Sequence, residues 1–337
     1  MSRTGVKQLT KLKSVGIIGT GSALPERIMT NYDLEKIVET SHEWIVTRTG
    51  IEERRIADEK TTTSDLAYEA ALKALEMAKT SPEELDLIIV ATITPDMMFP
   101  ATACILQDRL KATKAAAFDL EAACSGFLYG VTTAQQFIAT GYYKKVLVIG
   151  GEVMSKIVDF TDRGTCVLFG DGAGAVVMGE VEEGFGLLST ELGSKGEGGK
   201  FLYQPAGGSL EPASAESVAN RRHFVKMGGP EVFKFAVRIM GESSVRVIEK
   251  AGLNLEDVDY LVPHQANTRI IEAAAKRIKL PMNRVKVNLN RYGNMSAASI
   301  PVALDEAVRG GEIKKGDHVV LVGFGGGLTW GAALIRW

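Results

Sequence analysis

The sequence is poor in the residues that build metal centres and disulfide frameworks, with three cysteines and four histidines in 337 residues. Cys104, Cys124 and Cys166 form an odd set with no Cys-x-x-Cys spacing. That argues against a disulfide framework and against a zinc site, and it suits a reducing cytosol. No apolar run approaches the roughly 18 residues that span a bilayer. The N-terminus carries Arg3, Lys7, Lys11 and Lys13 without the apolar stretch of a secretory signal, and reads as a short lead-in to a strand at 15–19. An excess of one charge is also missing. The net charge of −2 gives no electrostatic footprint for nucleic acid, and leaves room for a local basic patch facing an acidic partner. The expectation is a cytoplasmic protein with no nucleic-acid, membrane or metal partner.

What is present is ordinary globular composition, 45% hydrophobic and 24% charged, on a chain long enough for two domains or one two-lobed unit. The sequence also repeats itself. Glu84–Val90 resembles Asp257–Pro263, and Val146–Gly150 resembles Val319–Gly323, both at an offset of 173 residues. A helical pattern precedes the first strand of each half, Ser64–Lys79 and Glu242–Ala251. The inference is a duplicated α/β unit, two similar lobes packed together, each with a mainly parallel buried sheet. The halves are expected at 1–185 and 186–337. Gly193–Ser217, rich in Gly, Ser, Pro and Glu, reads as a long surface loop or flap.

Within the first half, Ala122-Ala123-Cys124-Ser125-Gly126-Phe127 joins an apolar stretch to a helical one. Small residues permit a sharp strand-to-helix turn, and a helix N-terminus favours thiolate, which is the wiring of a covalent nucleophile. A free cysteine is equally at home as a small buried hydrophobe, and the local signal does not choose between the two. The offset of 173 carries Cys124 to Ala297, inside Gly293-Asn294-Met295-Ser296-Ala297-Ala298. A pseudo-twofold axis would bring these turns together and put an active site between the lobes. Among the histidines, His42, His223 and His318 lie in polar segments and read as solvated. His264 ends the apolar strand Tyr260–Pro263, where sites form in α/β sheets. Asn294 could serve as a turn residue whose side chain bonds the backbone, and its position at the duplicated turn raises the functional reading. Gly323-Phe324-Gly325-Gly326-Gly327 follows a strand and lacks the Lys-Ser/Thr ending of a phosphate loop; an oxyanion hole fits it better.

Seven stretches then carry a resemblance in order along the chain: 43–51, 122–127, 162–165, 169–174, 262–267, 293–298 and 324–331. Together they resemble the β-ketoacyl-acyl carrier protein synthase III family, the initiating condensing enzymes of type II fatty acid synthesis. The resemblance implies a thiolase-like duplicated α/β fold in five layers, α-β-α-β-α. It implies a catalytic Cys124, His264 and Asn294, and an oxyanion hole from the backbone N–H groups of Cys124 and Gly326. Trp44 and Arg163 match the positions that sandwich the adenine of coenzyme A, with Arg48 and Thr40 along the same route. Phe99 and Phe324 match the acyl pocket, Phe99 reaching in from the neighbouring subunit of a homodimer. Lys234, Arg269, Lys276 and Arg277 match the face that docks the acidic acyl carrier protein. Around Met227–Pro230 the family varies, often with a polar residue where Pro230 stands.

The implied reaction is a decarboxylative Claisen condensation of an acyl-coenzyme A primer with malonyl-acyl carrier protein, giving a 3-oxoacyl product. Coenzyme A enters as a thioester substrate, and no cofactor is implied. The alternative is a related condensing acyltransferase that primes polyketide or quinolone synthesis with the same three residues. A biosynthetic thiolase would need a second cysteine near the C-terminal glycines, and none follows Cys166. A hydroxymethylglutaryl-type synthase needs a catalytic glutamate, and none stands out. A non-catalytic binding homologue would be expected to have lost the nucleophile.

Overall fold

A computed structural model describes residues 12–337. The expected lead-in of Arg3, Lys7 and Lys11 lies outside the described residues. Two sheets carry the fold. The first runs, edge to edge, through Val15–Ala23, Asp171–Glu180, Val146–Val153, Leu87–Ala91 and Ala116–Leu120. The second runs through Gly186–Ser194, Thr329–Arg336, His318–Gly325 and Tyr260–Pro263. Read in that order the two sheets correspond strand for strand, and even the outermost position has a counterpart. Where the first sheet has Ala116–Leu120, the second has a single parallel bridge from Leu261 to Val285.

Alternation along the strands builds the layers. In Val146–Val153, Val146 and Val148 face one core and Leu147 and Ile149 another. In His318–Gly325, Val319 and Leu321 face that same first core, whereas Val320 and Val322 face a third. The shared core holds the helices Gly126–Ala139 and Ser299–Arg309, through Phe127, Leu128, Val131, Ile300 and Leu304. These two helices are the middle layer. Helix Thr63–Ala78 covers the outer face of the first sheet, and helices Gly229–Lys250 and Thr268–Arg277 cover that of the second. The order is α-β-α-β-α.

The sheets are mixed, and less parallel than the alternation of strands and helices suggests. Three of the seven pairings in them are parallel. Parallel pairs arise where a helix crosses over. Antiparallel pairs arise where the chain turns straight back, as between His318–Gly325 and Thr329–Arg336. The segment 193–217 is more structured than a flap. It finishes a strand at Ser194, forms a 3-10 turn at Gly196–Phe201, pairs Leu202–Tyr203 with Lys226–Met227, and adds the short helix Ala215–Ala219. The three histidines expected in solvent are partnered: His42 stacks on Tyr32 at 4.8 Å between centroids, His223 Nε2 lies 2.9 Å from the Ser217 hydroxyl, and His318 Nδ1 lies 3.0 Å from the Asp257 carbonyl oxygen.

Candidate active site

The two middle-layer helices enter through twin turns. Ala123–Ser125 precedes the first and Ser296–Ala298 the second, each a single 3-10 turn. Equivalent residues, Ala123 at φ +45° and Ser296 at φ +47°, take the left-handed conformation, unusual for any residue but glycine or asparagine. The turns are in contact: a Cβ added to Gly126 would stand 3.8 Å from the Ala297 Cβ, and one added to Gly150 would collide with the Ala297 carbonyl at 2.1 Å. Glycine at 150 is therefore what lets the second turn approach the first sheet.

Cys124 is 5% exposed. Burial pushes its thiol up to about 12, and the nearby Glu152 carboxyl adds to the rise, while the Ser296 hydroxyl offsets part of it. A helix N-terminus favours thiolate, and desolvation of the sulfur acts against it in the resting site. The glycine loop after strand His318–Gly325 closes on this turn. A Cβ at Gly325 would lie 2.5 Å from the Cys124 nitrogen. The loop is stitched there by hydroxyls: Thr329 Oγ1 lies 2.9 Å from the carbonyls of both Ala122 and Gly326, and the Ser125 hydroxyl donates to it at 2.8 Å.

His264 continues its strand, its N–H donating to the Val322 carbonyl at 2.8 Å. It is 1% exposed, and neither ring nitrogen has a hydrogen-bond partner. Burial alone lowers its pKa to about 3, so the resting imidazole is neutral, with one N–H and one lone pair. Asn294 is fixed by its backbone to 168–170: its N–H donates to Leu168 O at 2.8 Å and its carbonyl accepts from Gly170 at 3.0 Å. Its Oδ1 accepts the Ser296 N–H at 2.8 Å, which leaves the side-chain amide as a free donor. Arg54 braces this region. It is fully buried, donates to Met29 O, Asn31 Oδ1 and Val167 O, and stays cationic although burial lowers its pKa to about 10.

A cavity of about 620 Å³ opens onto Cys124, Ser296 and Gly326, with Thr92, Ile93, Met98, Leu202 and Phe169 among its walls. His264 and Asn294 do not line it. Nor does Phe324, whose ring stands edge-on to His264 at 5.6 Å. Strand alternation explains this: Gly325 faces Cys124, so Phe324 turns to the opposite core. Phe99 is 84% exposed and also outside the walls, although Pro95 and Met98 belong to them. One group at the site escaped the sequence reading. Glu152 is completely buried near Cys124. The available signal was a lone carboxylate closing an apolar strand, Val146-Leu147-Val148-Ile149-Gly150-Gly151-Glu152.

Comparisons with known proteins identify the family and the fold. The profile described as 3-oxoacyl-[acyl-carrier-protein (ACP)] synthase III matches residues 118–196, and its C-terminal counterpart matches 248–337. A β-ketoacyl-[acyl-carrier-protein] synthase III from Desulfitobacterium hafniense (strain Y51) is 64% identical over 324 residues, 96% of this chain and 98% of that one. The chain belongs to the β-ketoacyl-acyl carrier protein synthase III family. The crystal structure of the 3-oxoacyl-[acyl-carrier-protein] synthase III from Aquifex aeolicus VF5 is 50% identical, with a TM-score of 0.89 and coverage of 96% of this chain and 100% of that one. The priming β-ketosynthase of the R1128 polyketide pathway is 33% identical, with a TM-score of 0.90 and coverage of 98% and 99%.

The remaining positions that the synthase III resemblance singled out lie on two adjoining faces. On the first, Trp44 projects from helix His42–Thr49 between two guanidiniums, Arg48 at 4.7 Å and Arg163 at 5.0 Å from its ring centroid. Arg163 also donates to Glu39 O at 2.9 Å, and the neighbouring Thr40 hydroxyl is buried without a partner. Arg163 thus stacks directly on Trp44. On the second face, Arg269, Lys276 and Arg277 are exposed on helix Thr268–Arg277, and Lys234 is exposed on the adjacent helix. The two faces are tied at Arg48, whose carbonyl accepts from Asn267 Nδ2 at 2.8 Å and Arg269 Nη2 at 3.1 Å. Pro230 sits in the first turn of its helix, where a missing N–H costs nothing.

Proposed function

We propose that this chain catalyses the family's priming condensation at Cys124, His264 and Asn294. In the first half-reaction the Cys124 sulfur attacks the thioester carbonyl of an acyl-coenzyme A. The oxyanion is stabilised by the N–H groups of Cys124 and Gly326, coenzyme A leaves as the thiol with the proton given up by Cys124, and the acyl group remains on sulfur. In the second half-reaction malonyl-acyl carrier protein loses CO2. The electron pair of the broken bond delocalises onto the thioester oxygen, which accepts from His264 N–H and the free Asn294 amide. The carbanion attacks the acyl carbonyl, forms the new carbon–carbon bond and expels the Cys124 thiolate, which takes up a proton. The substrate is itself a thioester, and the cycle calls for no cofactor.

The single observation that carries this reading is the meeting of the twin turns at one cavity, with Cys124 on one and the Asn294-linked Ser296 on the other. Three further proposals complete it. Coenzyme A enters over Trp44 and Arg163, an indole and a guanidinium that offer flat faces to adenine. The acidic carrier protein docks on Lys234, Arg269, Lys276 and Arg277. Two copies pair through the half-exposed edge strand Ala116–Leu120, whose free backbone groups invite a partner strand, with exposed Met97, Met98 and Phe99 beside it. The halves 1–185 and 186–337 act as one unit because each supplies one turn. No helix among the described residues is long and apolar enough to cross a membrane, and we place the enzyme in the cytoplasm, where its substrates are made.

The test separates the half-reactions. His264→Ala and Asn294→Ala should still take an acyl group from a coenzyme A thioester but lose malonyl decarboxylation by about 10²-fold; decarboxylation that survives both changes contradicts their roles. Running the wild type with a panel of thioesters and malonyl-acyl carrier protein, and weighing the product, identifies the primer. A fatty-acid initiator favours short or branched acyl groups, and preference for a polyketide-type starter favours the alternative.

A further inference from the structure

Glu152 has no place in the mechanism above, yet it is the most heavily hydrogen-bonded side chain at the site. Its carboxyl accepts from Thr92 Oγ1 at 3.1 Å, Thr94 Oγ1 at 2.6 Å, the N–H of Ile93 at 3.2 Å and the N–H of Thr94 at 3.1 Å. It also accepts, more weakly, the N–H of Ala297 at 3.5 Å. Thr94 is locked in turn, because its hydroxyl accepts from Val153 N–H at 2.9 Å and its carbonyl from Thr63 Oγ1 at 2.6 Å. No cation pairs with Glu152 among the described residues. A buried carboxylate without a cation is a stability cost, and its charge opposes ionisation of Cys124. Its position therefore has neither stability nor nucleophile activation to recommend it.

What the carboxyl does is join two structures that the reaction needs in register. Thr92 and Ile93 line the cavity beside Cys124. Ala297 follows Ser296, whose N–H orients Asn294. The first belongs to one half of the chain and the second to the other. We propose that Glu152 is a positioning residue that clamps the Thr92–Thr94 cavity wall to the Asn294 turn, setting both the shape of the acyl pocket and the alignment of Asn294 with the acylated Cys124. The clamp rests on the assignment of Cys124 and Asn294 made above.

Glu152→Gln tests it. The amide keeps the shape but turns an NH2 group toward N–H donors, so the clamp loosens. Expected are a fall in kcat for condensation of up to about 10²-fold, a smaller change in KM for malonyl-acyl carrier protein, and a shift of at least about fivefold in the ratio of acetyl to longer primers. Thr94→Val should move the same quantities less, and Thr94→Ser should restore them, which keeps the test decisive should Glu152→Gln fold poorly. A general structural role would instead reduce all primers together, in step with the folded fraction seen by thermal melting. That outcome, or an unchanged primer ratio in both Glu152→Gln and Thr94→Val, overturns the clamp. If wild-type Cys124 itself takes up no acyl group, the underlying assignment falls; if it does and the variants match it, only the clamp falls.

Discussion

The turn at Ala123–Ser125 and the turn at Ser296–Ala298 share length, backbone conformation and the middle-layer helix that follows, yet one carries a sulfur and the other a methyl group. The difference lies in what each turn faces. Cys124 looks into the cavity, with the glycine loop held against its backbone. Ala297 looks at Gly126 and Gly150, where the fit is so close that a Cβ on Gly150 would meet its carbonyl. One turn of a duplicated unit opens on the cavity; the other is packed, with Asn294 and Glu152 bonded to it. Duplication supplied the geometry, and local packing divided the labour.

Moving the sulfur breaks the comparison most severely. Cys124→Ala combined with Ala297→Cys should show no acyl uptake by intact mass, because the second turn has no open face; uptake would mean that the two turns are interchangeable. Next in size is the contact that makes the first turn distinctive. Gly325→Ala places a Cβ 2.5 Å from the Cys124 nitrogen, and should lower acylation by about 10²-fold with little loss of secondary structure by circular dichroism. The smallest effect concerns charge. His264 has a depressed pKa, so the unfolded chain binds a proton that the folded one refuses, and stability falls as pH drops from about 6.5 toward about 3. Glu152, raised by burial to about 7, works in the opposite sense, losing stability as pH rises from its ordinary value near 4.5. Between these limits the two oppose each other. His264→Gln should unmask Glu152: the stability of wild type relative to the variant should rise by at most about 1.4 kcal/mol per pH unit from pH 5 to 6, measured by urea unfolding. A flat difference would show that His264 is not desolvated.

The same comparison shows what the sequence carries. The offset of 173 is written in short apolar strands, and it locates the twin turns correctly, because the stretch from strand to turn, Leu87 to Ala123 and Tyr260 to Ser296, has the same length in both halves. His264 was legible as a polar residue closing an apolar strand. Three features were not. The antiparallel half of each sheet comes from chain reversals that look, in sequence, like any strand following another. The direction of Phe324 depends on which neighbour, Gly323 or Gly325, faces the nucleophile. Glu152 reads as a stray charge until the fold brings Thr92, Ile93, Thr94 and Ala297 around it from distant parts of the chain. The thiol is a similar case: the helix N-terminus is visible in sequence, and the depth of burial that acts against it is not.

Whether Cys124 is the acyl acceptor is decided by incubating the wild-type protein with acetyl-coenzyme A, weighing it intact and mapping the adduct by peptide. One acetyl group is expected, on the peptide that contains Cys124, and none in Cys124→Ala. An adduct on Cys104 or Cys166, or undiminished acetylation of Cys124→Ala, would contradict it.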